Sequence, residues 1–261
     1  MGFEVRCPRL IATEKPASVD EAAQRRRAAE QHARRVWRSA DAVCFDVDST
    51  VCQDEAIDEL AKFLGKGEEV ARCTQKAMSG GMSFRQALEA RLEVMRPTRA
   101  QVIEYATTHP VLLTPGIVEL VRILQEERKA DVFLVSGGFR DLIVPVARHL
   151  GIPESHIFAN RILFHPATGE YVDFDRTEPT SDSGNKTVGK ARVCGLLKEN
   201  RGYQNLVMVG DGATDAEARP PADVFVGFGG NQVREVVKQR ADWFVHSFQE
   251  LVSELTNLTT V

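Results

Sequence analysis

The stretch Val43-Cys44-Phe45-Asp46-Val47-Asp48-Ser49-Thr50 decides the fold. Opened by Ala42, it is an apolar, β-branched run that reads as a buried strand ending in two acids one residue apart. Residues i and i+2 of an extended chain share a face, separated by two rises of ~3.3 Å. Asp46 and Asp48 are therefore expected in the same space at the carboxyl end of the strand, where open α/β sheets bind ligands. Carboxylates this close repel, and burying them costs free energy unless a cation or a proton intervenes. A divalent metal, with one carboxylate nucleophilic and the other shuttling a proton, meets that constraint. A plain strand-to-turn junction is the alternative, because Asp, Ser and Thr all suit turns and helix caps.

Downstream of this strand the pattern turns purely helical over residues 55–107. Ala56, Leu60 and Phe63-Leu64 make one apolar stripe, and a second helix over residues 68–78 stops at Ser79-Gly80-Gly81. Ser83 with Gln86 and Thr98 with Gln101 have capping-box spacing, and Phe84, Leu88, Leu92 and Met95 line one face between them. The stretch interrupts an otherwise alternating chain and is read as a small helical cap, with hinges expected at Gly80-Gly81, near Gln53 and near Pro110.

Strand–helix alternation then resumes. Thr114-Pro115 is expected to start a helix with Pro at its first position, with Ile117, Leu120, Val121 and Leu124 facing a core. Asp131-Val132-Phe133-Leu134-Val135 reads as a strand ending in the loop Ser136-Gly137-Gly138, followed by a helix over 140–150. Ile162, Phe164, Tyr171, Val172 and Phe174 flank the turn Pro166-Ala167-Thr168-Gly169, which predicts an antiparallel hairpin. Leu206-Val207-Met208-Val209 is the next buried strand and runs into Gly210-Asp211-Gly212-Ala213-Thr214-Asp215. Val224-Phe225-Val226 and Trp243-Phe244-Val245 extend the sheet, with helices over 232–239 and 248–255. The fold class is thus α/β: a parallel-sheet core over 41–52 and 111–261, an inserted helical-bundle cap over 53–110, and a small β-hairpin.

The 261 residues, 43% apolar and 27% charged, are ordinary for a globular protein. A net charge of −4 without a basic stripe argues against a nucleic-acid partner, and no apolar run approaches the ~20 residues of a membrane span. Five cysteines without a CxxC pair indicate neither a zinc site nor a disulfide framework, which fits a reducing cytoplasmic compartment. Cys52, close to the acids, is expected to be a buried, inert thiol. Residues 1–40 are expected to be a helical N-terminal extension, rich in Arg25-Arg26-Arg27 and Arg34-Arg35, with a solvated leading helix from about Val19 to Trp37. A transit peptide is the weaker alternative, because Glu4, Glu14, Asp20 and Glu21 spoil its acid-poor pattern.

Three strands end in polar, small-residue stretches, two of them acidic, and in a parallel sheet all three emerge on one edge. Phosphoryl transfer fits them. Asp46 could attack phosphorus, Asp48 could protonate the leaving alkoxide and later take a proton from water, and Ser136 could bond a phosphate oxygen. A hard cation with oxygen ligands is needed against the phosphate dianion; Mg²⁺ suits, held by Asp46, Asp48 and Asp211.

Asp46-Val-Asp48-Ser-Thr50, Ser136-Gly-Gly, a following lysine and Gly-Asp211-Gly-x-x-Asp215 resemble the four motifs of the haloacid dehalogenase superfamily. Within it the match is to the phosphatases of O-phospho-L-serine, from about Asp41 to the C-terminus, and includes Gly-Phe-Gly-Gly-Asn231. The resemblance implies a Rossmann-like core with a helical cap, and Mg²⁺-dependent hydrolysis of L-phosphoserine to L-serine through an aspartyl-phosphate, the last step of serine biosynthesis. It implies Asp46 as nucleophile, Asp48 as acid/base and as metal ligand through its backbone carbonyl, Asp211 as metal ligand and Asp215 in support. It further implies a cap Glu55 for the substrate ammonium, Arg91 for its carboxylate, and a pocket including Met78, Ser136, Gly137, Gly138 and Thr214. Lys190 is chosen over Lys186 as the phosphate lysine, because Gly189-Lys190-Ala-Arg-Val193 keeps the register into the next strand. Another small phosphomonoester substrate, or a silent phosphate-binding protein, are the alternatives. A homodimer is left open.

Overall fold

The computed structural model describes residues 19–78, 81–185 and 187–257. Its centre is β1 (Ala42–Phe45), flanked in parallel by β2 (Asp131–Phe139) and β6 (Leu206–Gly210) in a six-stranded sheet. With β3 (Ile157–Asn160), β7 (Val224–Phe228) and β8 (Trp243–Val245), the strand order is β3-β2-β1-β6-β7-β8. Every strand pair in this sheet is parallel. Alternate residues of β1 enter different cores. Val43 and Phe45 join the cluster containing Val132, Leu134, Val207 and Val209, whereas Ala42 and Cys44 join the one containing Phe133, Val193 and Met208. Burial on both faces explains why β1 reads as a continuous apolar run. The three motif-bearing strands are neighbours, so their carboxyl ends meet at the point where the chain switches from one side of β1 to the other.

Helix α1 (Val19–Arg38) corrects the expectation of a solvated leading helix. Ala33, Val36 and Trp37 are buried in the first core cluster. Trp37 packs edge-to-face on Trp243 at 6.4 Å and donates Nε1–H to the Leu251 carbonyl at 3.1 Å. Arg34 and Arg38 both pair with Glu254 of α11 (Phe248–Thr256). The arginine-rich composition masked an apolar ridge at i, i+3 and i+4 spacing.

The cap consists of α2 (Ala56–Phe63), α3 (Gly67–Met78), α4 (Phe84–Met95) and α5 (Arg99–Thr108). Both capping boxes form: Gln86 N–H donates to Ser83 Oγ at 3.2 Å and Gln101 N–H to Thr98 Oγ1 at 3.3 Å. Leu60, Leu88, Leu92 and Met95 are buried with Ile57, but Phe63 turns outward, 43% exposed. The chain enters and leaves the cap on paired extended segments, with Gln53 N–H bonded to the Leu112 carbonyl at 2.9 Å.

Other boundaries shift for identifiable reasons. Pro115 does not begin a helix; Gly116 takes a left-handed φ of 88° and α6 starts at Ile117, running to Arg122. Strand β2 does not stop at Val135 but continues through Ser136-Gly137-Gly138 to Phe139, with a register shift against β3. Strand β3 carried no sequence signal, being four residues long and made an edge strand only by pairing with β2. The hairpin forms as β4 (Ile162–Phe164) against β5 (Tyr171–Phe174). After β3's partner α7 (Arg140–His149), the remaining helices are α8 (Gly189–Arg201), α9 (Ala213–Ala216) and α10 (Glu235–Arg240).

Candidate active site

The cleft between sheet edge and cap has a volume of about 210 Å³. Asp46 and Asp48 both line it, but not as strand residues: β1 ends at Phe45 and both acids sit in the tight turn that follows. Ser49 closes that turn at a left-handed φ of 54°, a strained conformation for a residue with a Cβ. Asn231 stabilises the turn from the far end of the chain, its amide donating to the carbonyls of Ser49 and Cys52 and to Thr114 Oγ1 at 2.7 Å.

On the floor, Lys190 Nζ lies 2.6 Å from Asp46 Oδ1 and 2.5 Å from Asp215 Oδ1. Asp46 Oδ1 also accepts the Val47 N–H at 2.7 Å. Gly189 brings this lysine in. Its φ of +67° carries the chain into α8, and a Cβ there would lie 2.9 Å from the Asp182 carbonyl oxygen. Gly210 is equally constrained, since a Cβ would stand 2.2 Å from Asp215 Cγ. Asp211 Oδ1 accepts the Thr50 hydroxyl at 3.1 Å, and Asp215 Oδ2 accepts Gly212 N–H at 2.8 Å.

Asp46, Asp211 and Asp215 each offer an oxygen within 4.8 Å of the others. Two of these buried carboxylates, Asp46 and Asp215, share one buried ammonium. Burial and the nearby Asp46 push Asp211 up to about 6 and Asp215 up to about 8. Burial would lower Lys190, but Asp215 and Asp46 outweigh it and keep it charged. Asp211 Oδ2 is buried and accepts no hydrogen bond among the described residues. An excess of hard oxygen donors with one unsatisfied atom fits an oxygen-ligated divalent cation. The Asp48 carboxylate is turned elsewhere: Oδ1 accepts the Ala56 N–H at 2.8 Å and Oδ2 the Ser136 hydroxyl at 3.2 Å. Burial, then Glu55 and Asp46, pushes Asp48 up to about 7.

On the roof, Glu55 Oε1 accepts the Ser49 hydroxyl at 2.7 Å, and burial raises its carboxyl. Arg91 is half-buried and lines the cleft; its Nε donates to the Ala87 carbonyl at 3.2 Å, and it makes no ion pair with the described residues. Burial lowers its pKa, against the opposing charges of Asp58, Glu55 and Asp48. Phe84 reaches down over Gly137, where a Cβ would lie 2.5 Å from its ring.

Gly137, Gly138, Thr214 and Lys190 also line the cleft. Ser136 does not; its hydroxyl is fully buried between Asp48 and the Gly138 N–H. The side chain of Met78, and Lys186 altogether, lie outside the described residues. Cys52 is buried, and burial with Asp48 raises its thiol, as expected of an inert cysteine. Sequence reasoning missed Arg234, whose Nη1 is 2.7 Å from Asp211 Oδ2 and whose Nη2 is 3.7 Å from Glu55 Oε1. Nothing local marks it, because residues 232–239 read as one helix. The segment before Glu235 is instead extended, held where Asn231 and Arg234 reach into the site.

A family profile for haloacid dehalogenase-like hydrolases matches residues 40–223. The chain is 52% identical over 222 residues to the phosphoserine phosphatase of Rattus norvegicus, covering 85% of this chain and 96% of that one. It belongs to the phosphoserine phosphatase family of haloacid dehalogenase-like hydrolases. Among solved structures, a substrate-bound phosphoserine phosphatase complex superposes with a TM-score of 0.69 at 25% identity, over 83% of this chain and 99% of that one. The DsGPDH of Dunaliella salina superposes with a TM-score of 0.74 at 35% identity, over 86% of this chain but 37% of that one. This family member is an enzyme with an α/β core of parallel strands, and no helix among its described residues is long and apolar enough to cross a membrane.

Proposed function

We propose that the enzyme hydrolyses O-phospho-L-serine to L-serine and phosphate, with Mg²⁺ held by Asp46, the Asp48 carbonyl and Asp211 and supported by Asp215. The observation that carries the reading is the pairing of two unlike surfaces across one small cleft. A carboxylate–lysine floor faces an arginine and a glutamate that a carboxylate and an ammonium would complete. A neutral sugar phosphate would leave Arg91 without a carboxylate and the second oxygen of Glu55 without a donor.

Both hydrogen bonds to Asp46 fall on Oδ1, so Oδ2 is the oxygen that attacks phosphorus. The P–O bond to serine breaks, and the serine alkoxide takes the proton that Asp48 holds near neutral pH. Water then attacks the aspartyl-phosphate, Asp48 takes its proton, and phosphate leaves with Asp46 restored. Lys190 holds Asp46 in aim and balances phosphate charge, Ser136 orients Asp48, and the Gly137-Gly138 backbone and Thr214 border the phosphate end. Mg²⁺ held there would supply charge neutralisation for the phosphate. Arg91 forms a fork on the substrate carboxylate, and Glu55 receives the ammonium.

The test is phosphate release from L-phosphoserine with and without Mg²⁺, beside Asp46→Asn. Metal-dependent release that the variant loses is expected. Release from an aryl phosphate but not from phosphoserine would remove the substrate assignment and keep the chemistry.

A further inference from the structure

Arg234 has no part in the reaction described above, yet it touches Asp211 Oδ2, a buried cluster atom that accepts no hydrogen bond among the described residues. Asp211 has committed Oδ1 to Thr50, and among the described residues Oδ2 is buried without a hydrogen bond although Arg234 Nη1 stands 2.7 Å away. The contact is electrostatic and poorly directed. The guanidinium bonds properly elsewhere: Nη1 donates to the Asp211 carbonyl at 3.3 Å and Nη2 to Gln232 Oε1 at 2.9 Å.

We propose that Arg234 is the resident counter-cation of the carboxylate cluster, which a divalent cation must displace from Asp211 Oδ2, so that this residue sets metal affinity from above. The proposal rests on the cation reading of the cluster. The two cations of the site differ in their freedom to yield. Lys190 is 6% exposed and locked between Asp46 and Asp215, and its departure would leave two buried carboxylates unpaired. Arg234 is 41% exposed and sits just outside α10, so moving it costs little desolvation. Gln232 and the Asp211 carbonyl retain it nearby when Oδ2 is taken. Two positive charges cannot share one carboxylate oxygen at contact distance without mutual repulsion. Arg234 therefore protects the metal-free site from its own negative charge and keeps cation binding reversible.

The experiment is calorimetric titration of Mg²⁺ into the chelator-stripped full chain, without substrate, for wild type, Arg234→Gln and Arg234→Lys. Gln keeps hydrogen bonding and removes the charge, and Lys keeps the charge on a flexible stem. Arg234→Gln is expected to bind Mg²⁺ roughly tenfold more tightly, with Arg234→Lys between it and wild type. Metal-free Arg234→Gln should also melt below wild type at neutral pH and gain more from added Mg²⁺. Should the Gln variant not fold, Arg234→Lys against wild type carries the comparison. Unchanged or weaker Mg²⁺ binding in the variants would overturn the proposal, making Arg234 a brace for Asp211. Absence of Mg²⁺ binding by the wild type would instead overturn the cation reading on which it rests.

Discussion

The floor and the roof of the cleft are built on opposite principles. On the floor every charged group is already engaged: Asp46 and Asp215 with Lys190, Asp48 with Ala56 N–H and Ser136, Asp211 with Thr50. On the roof, among the described residues, Arg91 pairs with no carboxylate, and Glu55 is held through one oxygen only, by the Ser49 hydroxyl and a 3.7 Å approach of Arg234. The floor is preorganised by mutual neutralisation, which is what stabilising charge on a transferring phosphoryl group requires. The roof keeps its binding capacity unspent until a partner arrives. One half of the site should therefore govern turnover and stability together, and the other should govern affinity alone.

The sharpest way to break this contrast is Lys190→Ala. Removing the shared ammonium leaves two buried carboxylates facing each other, so a stability loss of about 3–5 kcal/mol is expected. A fall in kcat on the order of 10²–10³-fold should accompany it. Thermal melts and phosphate release at saturating substrate check both, and Lys186→Ala, measured alongside, should leave turnover intact. Gly210→Ala attacks the same floor sterically. The added Cβ meets Asp215 at 2.2 Å, so destabilisation of about 1–3 kcal/mol and weakened metal binding are expected in melts with and without Mg²⁺.

The roof is probed by Arg91→Ala. Loss of a charge-assisted fork should raise KM for phosphoserine roughly tenfold to 100-fold while aryl phosphate hydrolysis stays near wild type. Equal losses on both substrates would erase the distinction between the surfaces. The mildest probe is pH. Asp48, Asp211 and Asp215 are raised to about 7, about 6 and about 8 by burial and neighbouring acids. Each holds its proton more tightly folded than unfolded, so the stability it contributes is present at low pH and lost as pH rises towards those values. Metal-free protein should thus become less stable from about pH 4 to 8. Mg²⁺, which competes with those protons, should bind more tightly across the same range. Titrations of melting temperature against pH, with and without Mg²⁺, read both slopes.

Much of this molecule was legible in its chain, unevenly so. The apolar run before Asp46 located the central strand because a strand buried on both faces has to be apolar throughout. The capping boxes at Ser83 and Thr98 marked the starts of α4 and α5, since a cap is a contact between residues three apart. The same local logic failed on the backbone at Ser136, read as the start of a loop and found inside an extended β2 beneath Asp48. It failed again for α1, where arginines hid the ridge that Trp37 completes against Trp243.

What the sequence by itself determined is the set of chemical groups and the strand ends that carry them, because periodicity and short motifs are properties of contiguous residues. What only the tertiary structure decided is which distant groups complete the site. Asn231 bonds the turn at Ser49 from 182 positions away, and Arg234 reaches Asp211 from an extended segment that reads as helix. Such partnerships depend on where β1, β2 and β6 are set side by side. No local pattern encodes that meeting, because it is fixed by burial of the whole sheet.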